Sequence, residues 1–274
     1  MRPGSGRKAP VRAAARITLA LILFAAGCVP GPGDRVRPPS FSGHPYLSLF
    51  SRVEGFDVWL VDGQYVREAL DEEFTDCGQH FGFRFIPPQE FWIDVEHVPG
   101  ETPFFIRHLL VENALMARGV TYDDALIRAD EAEQAERNAS PLAREGAALR
   151  DTGRLPELIA RIHQTSLTEY SAGVKVWVVD GELVRDVLFI DFTEGAHDRV
   201  YSFIPAGEVW IDNDVMPGEQ RFILLHELHE RGLMSRGWAY DRAHRDSSRL
   251  EYHYRRRPQG LDAALLAELA KNRT

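Results

Sequence analysis

The sequence predicts an α+β fold of two tandem homologous units, each a small antiparallel sheet followed by a helix pair. The duplication is read directly. Val58-Trp59-Leu60-Val61-Asp62-Gly63 returns as Val176-Trp177-Val178-Val179-Asp180-Gly181, an offset of 118 residues that also carries Phe85-Ile86-Pro87 onto Phe203-Ile204-Pro205 and Trp92-Ile93-Asp94 onto Trp210-Ile211-Asp212 without a gap. Within each unit the apolar pattern changes from short aromatic and β-branched runs to helical spacing. A chain of 274 residues with 44% hydrophobic side chains has enough apolar surface for real cores.

The amino terminus stands apart from these units. Arg2, Arg7, Lys8, Arg12 and Arg16 precede the apolar run Ile17 to Ala26, which is too short to span a bilayer, so residues 1–27 read as a secretory signal peptide. Ala25-Ala26-Gly27-Cys28 resembles the lipobox of bacterial lipoproteins, with Ala25 where leucine is usual. That resemblance implies cleavage before Cys28, lipidation of Cys28, and an extracytoplasmic, lipid-anchored place in the bacterial cell envelope, with the membrane as a partner. Residues 28–40, rich in Pro and Gly, then form a tether. Residues 1–27 carry five basic and no acidic side chains, so their removal takes the formal charge from −9 to −14, which argues against nucleic acid as a partner. Cys28 and Cys77 are the two cysteines of the chain, so no disulfide framework is expected.

The first unit is assigned to residues 41–134 and the second to residues 161–274. Alternating apolar residues around Asp62-Gly63 and Asp180-Gly181 predict hairpins, because Asp-Gly readily takes the positive φ angles of a type I′ turn. Tyr201-Ser202-Phe203-Ile204 and Val209-Trp210-Ile211, around Pro205-Ala206-Gly207, predict a second strand pair. From Glu219 the residues Phe222, Ile223, Leu225, Leu228, Leu233 and Met234 fall at helical spacing, with Gly237 as the stop and Asp241 as the cap of the next helix. Residues 135–160 read as a solvated helix and linker, and Leu261 to Leu269 as a short amphipathic packing helix.

The candidate chemistry lies in Leu225-His226-Glu227-Leu228-His229-Glu230, where helical spacing puts His226 and Glu230 on one face. Glu230 lies ~9 Å before the helix end, and His244 ~6 Å into the next helix, at ~1.5 Å rise per residue. An αα-hairpin would therefore bring His244 to the same place. His226, Glu230 and His244 make a three-ligand set suited to zinc, and Glu227 can flank the metal and take a proton from water. The same nitrogen and oxygen donors would accept Mn, Fe or Co.

His226-Glu227-x-x-Glu230 with the later His244 resembles a zincin helix in which the second histidine and the distal carboxylate have changed places. The likeness covers about 20 residues and implies peptide hydrolysis. In the first unit the counterparts are His108, Leu109, Glu112 and Leu126, so that unit is read as degenerate: structural or substrate-binding. His229 is expected behind the metal ligands or in solvent, Glu251 is a reserve ligand, and Asp212 with Asp214 could orient a histidine Nδ1 proton. Arg255-Arg256-Arg257 reads as compensation of a helix dipole. The expectation is a zinc hydrolase of the envelope, a peptidase first, acting on peptide or another envelope substrate. The alternative is a non-catalytic envelope lipoprotein, a binding module with a structural metal site or none.

Overall fold

The computed structural model describes residues 44–71, 73–96 and 100–273. The expected signal over 1–27, the lipidated Cys28 and the tether to residue 40 lie outside the described residues. The first unit runs β1 (Tyr46–Val53), β2 (Phe56–Val61), α1 (Gly63–Ala69), β3 (Cys77–Gln79), β4 (Glu90–Asp94), α2 (Thr102–Met116) and α3 (Tyr122–Arg137). Two connecting helices follow, α4 (Pro141–Asp151) and α5 (Leu155–Ile162). The second unit repeats the order as β5 (His163–Ser166), β6 (Lys175–Val179), α6 (Gly181–Val187), β7 (Gly195–His197), β8 (Glu208–Asp212), α7 (Gln220–Ser235) and α8 (Tyr240–Arg256), and adds α9 (Leu261–Lys271). No helix of the described residues is long and apolar enough to cross a membrane.

Both sheets have four strands, in the orders β1-β2-β4-β3 and β5-β6-β8-β7. The α+β arrangement of two tandem units is as the sequence indicates. The outer strand pairs are antiparallel, but the central pair of each sheet is parallel, with Trp59 beside Trp92 and Trp177 beside Trp210. The reason lies at Asp-Gly. Asp62 and Asp180 do not make hairpin turns; each caps a helix, its carboxylate accepting from the N–H of Tyr65 or Leu183 at 2.9 Å. The helix interrupts the chain, which returns first as the edge strand β3 or β7 and then, antiparallel to that edge, as β4 or β8, parallel to the strand that preceded the helix.

The glycine after each aspartate serves a close approach. A Cβ on Gly63 would meet the Asp94 carboxylate, and one on Gly181 that of Asp212. The first sheet's actual hairpin turn is Glu54-Gly55, with φ of 49° and 91°, joining β1 to β2. Of the expected second strand pair only β8 forms, and its antiparallel neighbour is β7; Tyr201 to Ile204 lie in the turns between the two.

The segment expected to be a solvated linker contributes to a core. Leu149 of α4 and Leu158, Ile159 and Ile162 of α5 pack with Val179, Val184, Phe192 and Trp210. The other core of the second unit lies between the opposite face of its sheet and α7, closed by Leu261, Leu265 and Leu269 of α9. α7 is therefore buried on nearly every side, which fixes the side chains that its remaining face presents.

Candidate metal centre

α7 and α8 form the expected αα-hairpin, turned at Gly237, whose φ of 88° needs glycine. Asp241 does not cap α8; it sits in the first turn, and Ala239 holds the cap position without a side-chain bond. The hairpin brings three donors together. His226 Nε2 lies 3.1 Å from His244 Nδ1, His244 Nδ1 lies 2.9 Å from Glu230 Oε2, and His226 Nε2 lies 3.6 Å from Glu230 Oε2. A tetrahedral ion with 2.0–2.1 Å bonds needs ligand atoms about 3.3 Å apart, so the triangle is of the right size.

The proton inventory favours the same set. His226 Nδ1 faces Glu251 Oε2 at 2.9 Å, a carboxylate that holds a proton on Nδ1, so the neutral ring would aim its Nε2 lone pair at His244. Burial alone would push the His226 imidazole down, yet bonds to Glu230 and Glu251 hold it well above the usual histidine value. His244 is pushed up to about 9 by Glu230 and Glu73 against the same burial. Two imidazolium rings with facing nitrogens 3.1 Å apart repel each other, a repulsion that Glu230 between them offsets and that one cation in place of their facing protons would remove.

Sequence reasoning missed His197, which lies fully buried on β7 with Nε2 3.0 Å from Glu230 Oε1. With Glu227 and Glu230 it makes a second group close enough for a metal. Its protonation argues otherwise. His197 Nδ1 accepts from the Arg199 N–H at 3.2 Å, so in the neutral ring Nε2 carries the proton, lies against Glu230 out of line for a hydrogen bond, and has no lone pair to offer a metal. The signal was present in the repeat, where the counterpart is Gln79, donating to Glu112 at 2.5 Å.

Glu227 is buried beside this cluster, its carboxyl pushed up to about 7, first by burial and then by the charge of Glu230, over the opposing pull of three histidines. A cavity of about 90 Å³ opens beside it, lined by Tyr201, Tyr240 and Thr193 of the second unit and by Glu73 and Thr75 of the first.

A buried relay joins the site to the other unit. Glu251 also accepts from Arg255 Nε at 2.7 Å, Arg255 pairs with Glu219, and Glu219 accepts from Arg67 Nε of the first unit at 3.2 Å. The mirror chain runs His108, Glu133, Arg137, Glu101 and Arg185, the last reaching back from the second unit at 2.8 Å. Glu251 is thus the carboxylate that orients His226 and not a reserve ligand. Arg255 is a buried link in the relay and not a dipole-compensating surface charge.

The remaining expectations sort by contact. His229 turns away from the site, to Glu268 at 2.9 Å and Asp246 at 3.2 Å, and ties α9 to the hairpin. Asp212 and Asp214 orient no histidine; both pair with Arg185. In the first unit His108 lies between Glu133 and Glu112, at 3.0 and 3.3 Å, and Leu126 stands where His244 would be. Comparison of the chain with protein-family models, with curated proteins and with solved structures finds no match.

Proposed function

We propose that the carboxy-terminal unit is a zinc-dependent hydrolase, with peptides as its first substrate class, carried in the bacterial envelope on a lipidated Cys28. The observation that supports it is the convergence of His226 Nε2, His244 Nδ1 and Glu230 Oε2 beside a cavity that also holds Glu227. A zinc ion held there supplies Lewis acidity toward a carbonyl or a water. The chain's own residues do the rest. Glu251 fixes the His226 tautomer, His197 lies against the carboxylate of Glu230, and Glu227, near neutrality, receives and returns a proton beside the cavity.

Metal analysis of a soluble form beginning at residue 41 tests this reading, together with hydrolysis of a mixed peptide library. About one zinc per chain is expected, lost in His244→Ala; Glu227→Gln should keep the metal and lose turnover. A chain that holds no metal after purification in the presence of zinc returns the protein to the binding-module reading. Metal with an active Glu227→Gln variant removes the hydrolytic assignment.

A further inference from the structure

The three donors of the site differ in what lies behind them. His226 has Glu251 on its far nitrogen and Glu230 has His197 on its other oxygen, both from the second unit. His244 commits Nδ1 to the cluster, and its Nε2 faces Glu73 Oε2 at 3.8 Å, a carboxylate of the first unit. Glu73 sits just after α1, in a turn held by its own N–H donating to Asp71 Oδ1 at 3.0 Å, and its side chain is 32% exposed. We propose that Glu73 is a positioning residue for His244, so that the amino-terminal unit completes the metal site of its neighbour.

Two observations carry this beyond one distance. The first unit has a second contact with the cavity, Thr75, and α1 packs beside α8, so the turn that bears Glu73 is docked against the helix that bears His244. The exchange is also reciprocal. Asp191, the counterpart of Glu73 under the 118-residue offset, lies within electrostatic reach of His108 and of Asp130, which is itself 3.6 Å from His108, in the first unit. Each unit therefore offers an acid from the same turn to the histidine cluster of the other. At 3.8 Å the Glu73 contact is electrostatic, longer than a hydrogen bond; when Nδ1 faces a metal the ring's proton must sit on Nε2, toward the Glu73 carboxylate, which thereby fixes the orientation of the ring.

The inference rests on the metal reading above, and the test keeps the two apart. Zinc affinity by chelator competition and the visible spectrum of the cobalt-substituted protein would be measured for the wild-type chain, Glu73→Ala, Glu73→Asp and Glu131→Ala. The last removes an exposed acid of the same unit and controls for net charge. Glu73→Ala should lose roughly 10–100-fold in affinity and alter the cobalt spectrum, with Glu73→Asp recovering part of both. Glu131→Ala should match the wild type. If the wild type binds zinc and Glu73→Ala binds it equally well with an unchanged spectrum, the positioning role is overturned while the site stands. If the wild type binds none, the site reading and this inference fall together. Thermal unfolding of each variant separates a local effect from a failure to fold.

Discussion

A Cβ added to Gly195 would lie 2.9 Å from Cγ of Glu227, and 2.7 Å from Cγ2 of Ile223. In the first unit the same two positions hold Cys77 and Leu109, which share a buried apolar cluster. The two units thus differ at both positions, a filled core in one and a glycine that makes room for an acid in the other. Gly195→Cys alone should therefore destabilise the protein by about 1–3 kcal/mol through overpacking. Adding Glu227→Leu should recover part of that loss, because it restores the Cys–Leu pair of the first unit while the contact with Ile223 remains. Urea denaturation of the two single variants and the double gives the coupling. Strictly additive losses would remove the argument.

The same pair shows how far the sequence could be read. The offset of 118 residues made the two-unit fold legible, and helical spacing placed His226, Glu230 and His244 correctly, since a short hairpin leaves little freedom. What failed depended on contacts between distant residues. Asp62-Gly63 has the composition of a hairpin turn, and only the Asp94 carboxylate against Gly63 shows why a helix cap forms there instead. Arg137 looks like one more charge in a solvated helix until Glu101 and Glu133 are placed around it. His197 was readable as a departure from Gln79, but its neighbour Glu230 comes from another element.

Arg185 is the test of the inter-unit network. Fully buried, it donates to Glu101, Asp212, Asp214 and the Phe192 carbonyl, so it neutralises acids of both units. Arg185→Met removes one partner and leaves carboxylates that cannot reach water. A loss of about 3–5 kcal/mol is expected in chemical denaturation. Arg128→Ala, which breaks an exposed pair with Glu131, should cost no more than about 1 kcal/mol. Similar losses for the two would mean that the network contributes nothing beyond surface pairing.

His197 separates a ligand from a hydrogen-bond donor. If Nε2 carries the ring's proton beside Glu230, as the Arg199 N–H on Nδ1 requires of the neutral ring, His197→Gln reproduces the Gln79 to Glu112 contact of the first unit. The variant should keep its metal stoichiometry and lose about 1 kcal/mol of stability or less. Loss of the metal in a folded variant would place His197 among the ligands instead.

Glu194 sets a pH dependence whose sign can be worked out. Burial, the largest influence, pushes its carboxyl up to about 7, with Glu251 and Glu219 acting in the same direction against Arg67 and Arg255. In the unfolded chain a glutamate titrates near 4.3, so between about 4.3 and about 7 the folded protein binds more protons than the unfolded one. Glu194 therefore contributes most below that window, and its contribution is lost as pH rises through about 7. Glu194→Gln keeps the shape and the positive φ of 47°, so backbone strain cancels in the comparison. Urea midpoints from pH 4.5 to 8 should show the variant gaining on the wild type as pH rises. A constant difference across that range would mean that Glu194 keeps its charge in the folded state, held by Arg67 at 3.5 Å more strongly than burial opposes it.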